Sequence, residues 1–516
     1  MKTVLFVASV ARWARGRVAV LENAVKTVLS TDAEGSKHEE YSLAPPALTL
    51  YARVADTLAR EIRDGLYAPG DRLPSVREAA RRLSISTSTV LEAYGQLLDR
   101  GLVESRPQSG FYVRRVARTP DAPAMSRPRV SPTEVSVGEI AMEVVHASSD
   151  PRLVAFGSAL PDLRLEAPRA VKRFMTSATR ASGTRALAYE IPPGHRELRV
   201  QIARRGVDAG CAFGPDDVLV TNGCQEAVVL CLRAISNPGD TIAIESPTFY
   251  GTLQAIRSLG LRALEIPTHP ETGISLESLE MAIEQFAIKG LVVTPHGSNP
   301  LGYVMPDERK LALLRMVEAH GVPLIEDDIY GELVYGAARP RAIKSWDTTG
   351  QVLLCSSVSK SIAPGLRVGW AVPGRWLAAV NYLKLVTSMA SATLPQIAVA
   401  EYLAHGGYDR HLRAARVVYR QSRDRLVDLV GKHFPRETRV TRPAGGFVAW
   451  LELPRTVDAI ALYRRALAEN ISIAPGPLFS AREKYRNFIR MNFAQGWDER
   501  TVAAVVRLGR LVSQAG

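Results

Sequence analysis

Gln351-Val-Leu-Leu-Cys355-Ser-Ser-Val-Ser-Lys360-Ser-Ile-Ala-Pro-Gly-Leu-Arg367-Val-Gly-Trp370 passes from a short apolar run into a hydroxyl-rich turn that holds a lysine, with an arginine beyond it. The apolar run reads as a buried strand. A buried amine condenses with aldehydes, and nearby hydroxyls with a guanidinium suit a phosphate. Pyridoxal 5'-phosphate (PLP) carries both groups. Lysines beside serines are also common on solvated surfaces, so the meaning of Lys360 rests on the sequence around it.

Four further apolar runs precede it: Val218-Leu-Val-Thr221, Thr241-Ile-Ala-Ile244, Gly290-Leu-Val-Val-Thr294 and Pro323-Leu-Ile-Glu-Asp327. Each ends in a polar or Gly-containing turn, and helical stretches lie between most of them. This alternation predicts an α/β domain with a mainly parallel sheet and helices on both faces. Such sheets bind ligands at the carboxyl ends of their strands. Gly223-Cys224-Gln225, Pro247-Thr-Phe249, Asn299-Pro300, Asp327 with Tyr330, and Lys360 all fall there.

In this order the motifs resemble fold-type I PLP enzymes of the class I/II aminotransferase group, across essentially all of residues 151–516. The resemblance implies that Lys360 is the catalytic Schiff-base lysine. It implies that Asp327, three residues before Tyr330, pairs with the pyridine nitrogen; this spacing favours Asp327 over the adjacent Asp328. A carboxylate there keeps the nitrogen protonated, so that the ring acts as an electron sink. Asn299 and Tyr330 would donate to the phenolic oxygen, and Phe249 would stack on the ring. Main-chain N–H groups of Gly223, Cys224 and Gln225 at a helix start, with Ser357, Ser359 and Arg367, would hold the phosphate. Arg490, in Phe488-Ile-Arg490-Met-Asn-Phe493, would anchor the α-carboxylate of an amino acid, for which a bidentate guanidinium is suited. In the family a tyrosine from the partner subunit approaches the phosphate, and Tyr189, in Ala188-Tyr-Glu-Ile-Pro-Pro-Gly194, occupies that position. Two segments depart from the family pattern. Asn299-Pro-Leu-Gly302 replaces the common Asn-Pro-Thr-Gly, and Pro295-His-Gly-Ser precedes it, where His296 reads as a solvated loop residue.

Residues 46–115 have a different character. Val54, Leu58 and Ile62 recur at helical spacing and predict a first helix ending near Asp64-Gly65. Ser75-Val-Arg-Glu78 reads as a capping box that opens a short second helix through Leu83. Ser86-Thr-Ser-Thr89 caps a third helix, with Val90, Tyr94, Leu97 and Leu98 as its apolar face. Leu102 to Val113 then alternates like two short strands around a turn. Three helices and a hairpin describe a winged helix-turn-helix, whose third helix would present its N-terminal residues to base edges in the major groove. Ser86, Thr87, Ser88 and Thr89 suit phosphate and base contacts there. Arg77 would reach the backbone or a guanine, and the hairpin tip from Gln108 to Gly110 would lie along the adjacent groove.

This stretch resembles the DNA-binding domain of GntR-type regulators. Gly70-Asp-Arg-Leu-Pro-Ser-Val-Arg-Glu78, Leu83-Ser-Ile-Ser-Thr-Ser-Thr-Val90, Ala93-Tyr-Gly-Gln-Leu97 and Gly101-Leu-Val103 carry the match. The family often has arginines where this chain has Thr87 and Leu91. Between residues 50 and 118 there are twelve arginines, no lysine and eight acidic residues, so the pattern carries the reading and the charge does not.

Residues 116–150 are proline-rich and polar, without sustained period, and read as a semi-extended, mobile linker. Residues 1–45 match no recognised pattern. Their apolar start is short, and Arg12, Arg15 and Arg17 follow at once, which weighs against a targeting segment. The 516 residues suffice for two or three domains, and no apolar run approaches the length of a membrane span. The four cysteines (Cys211, Cys224, Cys231, Cys355) have no paired metal-ligand spacing and read as reduced thiols of a cytoplasmic protein. The net charge of +13 permits an anionic partner without naming one.

A GntR-type winged helix joined to an aminotransferase-like domain resembles the MocR subgroup of bacterial regulators. This resemblance implies a head-to-tail homodimer on double-stranded DNA, with PLP as cofactor. It also implies detection of an amino compound, or of PLP itself, through an aldimine at Lys360. A second expectation stays open beside it: an amino acid aminotransferase that turns over and merely carries a DNA-binding module. A third is an N-terminal module that binds a protein partner.

Overall fold

The computed structural model describes residues 50–515 apart from 65, 68–69, 100–101, 107–108, 114–117, 137–139, 148–149, 337 and 406. The proposed N-terminal extension, residues 1–45, therefore lies outside the described residues, as does Gln108. The chain divides into two units, Met1–Val116 and Ala117–Gly516. Among the described residues no helix is long and apolar enough to cross a membrane.

In the smaller unit α1 (Leu50–Arg63), α2 (Val76–Leu83) and α3 (Thr87–Asp99) are followed by the antiparallel hairpin β1 (Val103–Arg106) and β2 (Gly110–Val113). Leu58, Ala59 and Ile62 of α1 close over Val90, Tyr94 and Leu97 of α3 in one small core. Ser75 starts α2 by accepting the Glu78 N–H at 3.2 Å, which is the first half of the expected capping box. Ser86 does the same for α3 with the Thr89 N–H at 3.1 Å. Leu98 does not belong to the buried face as expected. It is exposed, because the stripe Val90, Ala93, Tyr94, Leu97 fills the inward arc and Leu98 sits about 100° further round the helix. Tyr94 satisfies its hydroxyl on the Pro74 carbonyl at 2.9 Å and meets Phe111 of the hairpin edge-on.

The larger unit is built on β3 (Val154–Ala155), β4 (Leu219–Thr221), β5 (Thr241–Ser246), β6 (Arg262–His269), β7 (Gly273–Ile274), β8 (Ile288–Val293), β9 (Leu324–Asp327), β10 (Val352–Ser357) and β11 (Gly369–Val372). The central sheet has the order β4-β11-β10-β9-β8-β5-β6-β7. β10, β9, β8, β5 and β6 are mutually parallel, while β11 runs against both β10 and β4. All six residues of β5 and of β10 are buried, as expected for strands covered on both faces. The sequence reading placed five of these strands to within a few residues. It did not separate β6 and β11, whose alternating or short apolar runs lack a strong turn signal. A second sheet, from β12 (Arg439–Val440), β13 (Val448–Glu452), β15 (Ala474–Pro475) and β16 (Phe488–Asn492), has the order β12-β13-β16-β15; β14 (Ile471–Ser472) pairs with β3.

The expected mobile linker is different in its described part. Residues 118–136 form a strap on the larger unit, and Ile140–Ala147 is a helix. Pro120, Pro123, Pro128 and Val135 are buried. Thr133 bridges Ala263 on β6, the Val440 N–H donates to the Asp121 carbonyl at 2.8 Å, and Ser126 bonds to Ser246 and Thr268. Proline favours an extended chain, and here apolar rings and strand-edge donors hold that extended chain down.

Candidate cofactor and DNA-binding sites

The carboxyl ends of β4, β5, β8, β9 and β10 face one cleft of about 160 Å3 in the larger unit. Lys360, in the turn after β10, lines it and donates from Nζ to the Ala159 carbonyl at 2.7 Å. Burial, helped by the nearby Arg490 charge, brings this amine down to about 8. Asp327, the last residue of β9, also lines the cleft. Its Oδ1 accepts from Cys224 Sγ at 3.2 Å and from the Ile329 N–H at 3.2 Å, and burial pushes its carboxyl up to about 6.

The neighbouring Asp328 points the other way. It accepts from the wholly buried His296 Nδ1 at 2.6 Å and from Arg339, whose side chain is 10% exposed. Burial alone would raise the Asp328 carboxyl, but Arg339 and His296 outweigh it and hold it below the usual carboxylate range. The geometry thus separates the two aspartates, with Asp327 on the cleft and Asp328 in the interior. It corrects the reading of His296, which is wholly buried and bonded at both ring nitrogens, to Asp328 and to the Arg341 carbonyl at 3.2 Å. A loop sequence hid a core ion-pair network.

Asn299 and Tyr330 line the cleft together, and the Tyr330 hydroxyl is buried with no partner among the described residues. Phe249 lines it from the start of the helix Tyr250–Ser258. At the opposite end, Gly223 precedes the helix Cys224–Ile235 with φ of 86°, and a Cβ added to it would stand 2.6 Å from Arg367 Nη2. Arg367, also at positive φ, donates from Nη2 to the Asn222 carbonyl at 2.5 Å. The first N–H groups of that helix lack intrahelical acceptors and suit an anion. Cys224, Gln225, Ser359 and Arg367 line the cleft. Gln225 bonds one side-chain amide N–H to the Gly251 carbonyl at 2.8 Å, and its main-chain N–H lies in the first turn of the helix. Ser357 stands behind this wall and accepts the Ser359 N–H at 3.2 Å, orienting that residue.

Arg490, on β16, is fully buried. Its Nη1 donates to Asn299 Oδ1 at 3.3 Å, Nη2 donates to the Gly157 carbonyl, and Nε has no partner among the described residues. Tyr189 does not reach this cleft within the chain. It is 78% exposed and lines a separate groove with Ser391 and Pro395.

These residues fit PLP. The orphan Tyr330 hydroxyl beside Asn299 suits a phenolic oxygen, and Asp327 suits a protonated ring nitrogen. The Gly223–Arg367 contact leaves a cradle that any side chain at 223 would fill, and Lys360 supplies the amine. Sequence reading missed the Phe156-Gly-Ser-Ala-Leu160 segment, whose carbonyls receive both Lys360 and Arg490. Its one signal was Gly157, where a Cβ would meet the Ile473 carbonyl at 2.7 Å. Thr252 and Thr294, which also line the cleft, carried no motif.

In the smaller unit Arg77, Ser86, Thr87 and Ser88 are exposed and Thr89 is half-buried at the start of α3. Ser86 Oγ lies 2.8 Å from both Ser88 Oγ and Thr89 Oγ1, so these hydroxyls form a capping cluster. Gly110 starts β2 at φ of 108°, and Arg72 packs over it, 3.2 Å from where a Cβ would be. Arg72 was not singled out in the sequence; it lies in the Gly70 to Glu78 motif.

Comparison with known proteins gives two family matches: aminotransferase class I and II over residues 156–508, and bacterial regulatory proteins of the gntR family over residues 50–113. The HTH-type transcriptional regulator YjiR of Escherichia coli K12 is 40% identical over 91% of this chain and all of its own length. YdcR of the same organism is 36% identical over 90% of this chain and 99% of its own. Among solved structures, LysN, an α-aminoadipate aminotransferase of Thermus thermophilus complexed with N-(5'-phosphopyridoxyl)-L-leucine, is 30% identical with a TM-score of 0.68, covering 73% of this chain and 95% of its own. A GntR helix-turn-helix and a class I/II aminotransferase fold thus share one chain over nearly the full length of named regulators, and the chain belongs to the MocR-type subfamily of GntR transcriptional regulators.

Proposed function

We propose that the protein is a PLP-dependent transcriptional regulator that detects an amino compound at Lys360 and adjusts DNA binding by its N-terminal module. The observation that carries this reading is the convergence of Lys360, Asp327, Asn299, Tyr330 and Arg367 on one cleft in a chain that also carries a GntR module. When bound, PLP supplies an aldehyde for amines and a ring that draws electrons from the adjacent carbon. The chain's residues do the rest. Lys360, with its amine brought down to about 8, is neutral in a usable fraction near physiological pH and so nucleophilic. Asp327 would hold the ring nitrogen's proton, and Asn299 and Tyr330 would hold the phenolic oxygen. Arg367 and the helix start would hold the phosphate. Arg490 selects effectors with a carboxylate, exchanging the Gly157 carbonyl for it.

The strap follows the module closely in the chain, and its anchor lies near a residue of this cleft. Ser126 bonds to the Ser246 carbonyl and to the Thr268 N–H, and Ser246 lies three residues before Phe249. A ligand that shifts Phe249 therefore bears on the strap's anchor. The protein would work as a homodimer in the cytoplasm. Leu187, Tyr189 and Ile191, with Val386 and Met389, are exposed apolar residues, and such a patch fits a second copy.

The test is direct. Purified protein given PLP should show a visible absorption band that Lys360→Ala abolishes, and it should bind the DNA upstream of its own gene. Arg77→Ala and added salt should weaken that binding, and an amino compound should change it. A colourless wild type with PLP, or no preference over random DNA, overturns the reading. Multiple turnovers with an amino donor and 2-oxoglutarate or pyruvate, without any effect on DNA binding, would favour the aminotransferase reading instead.

A further inference from the structure

We propose that Leu91 is a base-reading residue, and that it selects operators by the C5-methyl groups of thymine in the major groove. The inference rests on the proposed DNA binding of the smaller unit and concerns what its third helix reads.

The helix α3 contains no lysine or arginine, and its charged residues are Glu92 and Asp99. Guanine is read in the major groove by arginine or lysine on O6 and N7, which α3 lacks. Its hydroxyls are partly committed, because Ser86, Ser88 and Thr89 bond to one another and cap the helix. Val90, Ala93, Tyr94 and Leu97 face the core. On the outward side, Thr87 and Leu91 stand one turn apart, and Leu91 is 56% exposed. Leu91 is the largest apolar side chain in the N-terminal half of that exposed face, where a recognition helix meets base edges.

A lone exposed leucine is ordinary on a protein surface. Its position among charges is what assigns it here. Arg72, Arg77 and Arg81, on the preceding loop and on α2, are exposed and supply cations for the phosphate backbone. Cations on the flank and none on the reading helix is the arrangement that divides positioning from readout. The readout left to α3 is apolar contact and short hydroxyls, and the base feature complementary to an apolar side chain is the thymine methyl.

The experiment uses the full-length protein and a random duplex library. Preferred sequences are selected, and each thymine in them is replaced in turn by deoxyuridine, which removes the methyl and keeps base pairing. At one or two thymines per half-site the wild type should lose roughly fourfold in affinity, corresponding to about 0.8 kcal/mol for one buried methyl-sized group. Leu91→Ala, at an exposed position, should bind the parent and the substituted duplexes alike. Leu91→Arg should move the selected sequence toward guanine at those positions. A wild type indifferent to every thymine methyl, or a Leu91→Ala protein that keeps the same sensitivity, overturns the proposal. Absence of any preferred sequence overturns the DNA-binding reading itself, a distinct result.

Discussion

Lys360 in the cofactor-free protein should lose its proton near pH 8, more than two units below an ordinary lysine. Burial disfavours the ammonium, and Arg490 adds a second positive charge beside it; together they outweigh the opposite charge of Asp327 and bring the amine to about 8. With an ordinary lysine at about 10.4, the neutral fraction at pH 7 is roughly one in 2,500; at about 8 it is roughly one in ten, about 200-fold more. The rate at which cofactor-free protein captures PLP, followed by its visible band, should therefore rise with pH along a titration curve centred near 8. Subtracting the Lys360→Ala protein removes the contribution of other amines. Arg490→Met removes a repelling charge, so the midpoint should move up; Asp327→Asn removes an attracting one, so it should move down. A midpoint near that of a free lysine would refute the electrostatic account. So would an Arg490→Met protein whose midpoint stays with the wild type.

Gly223→Ala places a Cβ 2.6 Å from Arg367 Nη2 at a backbone with φ of 86° and ψ of 171°, a glycine region where a side chain costs about 1–3 kcal/mol before any clash. PLP affinity should fall tenfold or more in an equilibrium titration, and an unchanged affinity would remove Gly223 from the cradle. Asp328→Asn deprives Arg339 of its closer carboxylate, leaving Glu332 at 3.5 Å, and takes the carboxylate from wholly buried His296; breaking a buried pair costs about 3–5 kcal/mol. Thermal unfolding of the larger unit should shift down clearly; a variant as stable as wild type would mean the network contributes little. Ser126→Ala deprives the Thr268 N–H of its acceptor at 2.8 Å, so the Thr268 amide should exchange hydrogen faster, and an unaltered exchange rate would show that the strap is held elsewhere.

The parts of this molecule legible in the sequence are those where local chemistry and global placement agree. Lys360, Asp327, Tyr330, Asn299 and Arg367 each follow a strand end or a fixed turn, so their order along the chain already encodes a shared cleft. The short helices of the smaller unit are marked by Ser75 and Ser86, whose capping role needs only neighbours three residues away. What escaped depends on partners distant in sequence. His296 reads as a loop residue because nothing nearby announces Asp328, 32 residues later. The strap reads as free linker because prolines signal an extended chain without saying whether that chain lies on anything. Leu98 looked apolar enough for the core, and only the helix phase set by Val90 and Leu97 puts it outside.

The strap changes how a signal can leave the cleft. A ligand shifts an equilibrium only by its differential affinity for the two states, so a response needs an element whose contacts differ between them. Here the polar contacts of Ser126 with Ser246 and Thr268 tie residue 126 to the loop that carries Phe249. Such bonds are worth about 1 kcal/mol each in net terms, a factor of roughly five in an equilibrium constant. A ligand that favours the loss or retention of one or both by repositioning Phe249 therefore commands a shift of roughly 5- to 25-fold in any equilibrium that requires the strap to be seated. That range falls within ordinary allosteric coupling, about 1–3 kcal/mol, without invoking any larger rearrangement of the sheet. The covalent order helps, because only residues 114–117 separate Val113, the end of the hairpin, from the strap at Arg118. The hydrogen-bonded anchor, rather than the proline content of the linker, is thus the element through which the proposed ligand response would pass.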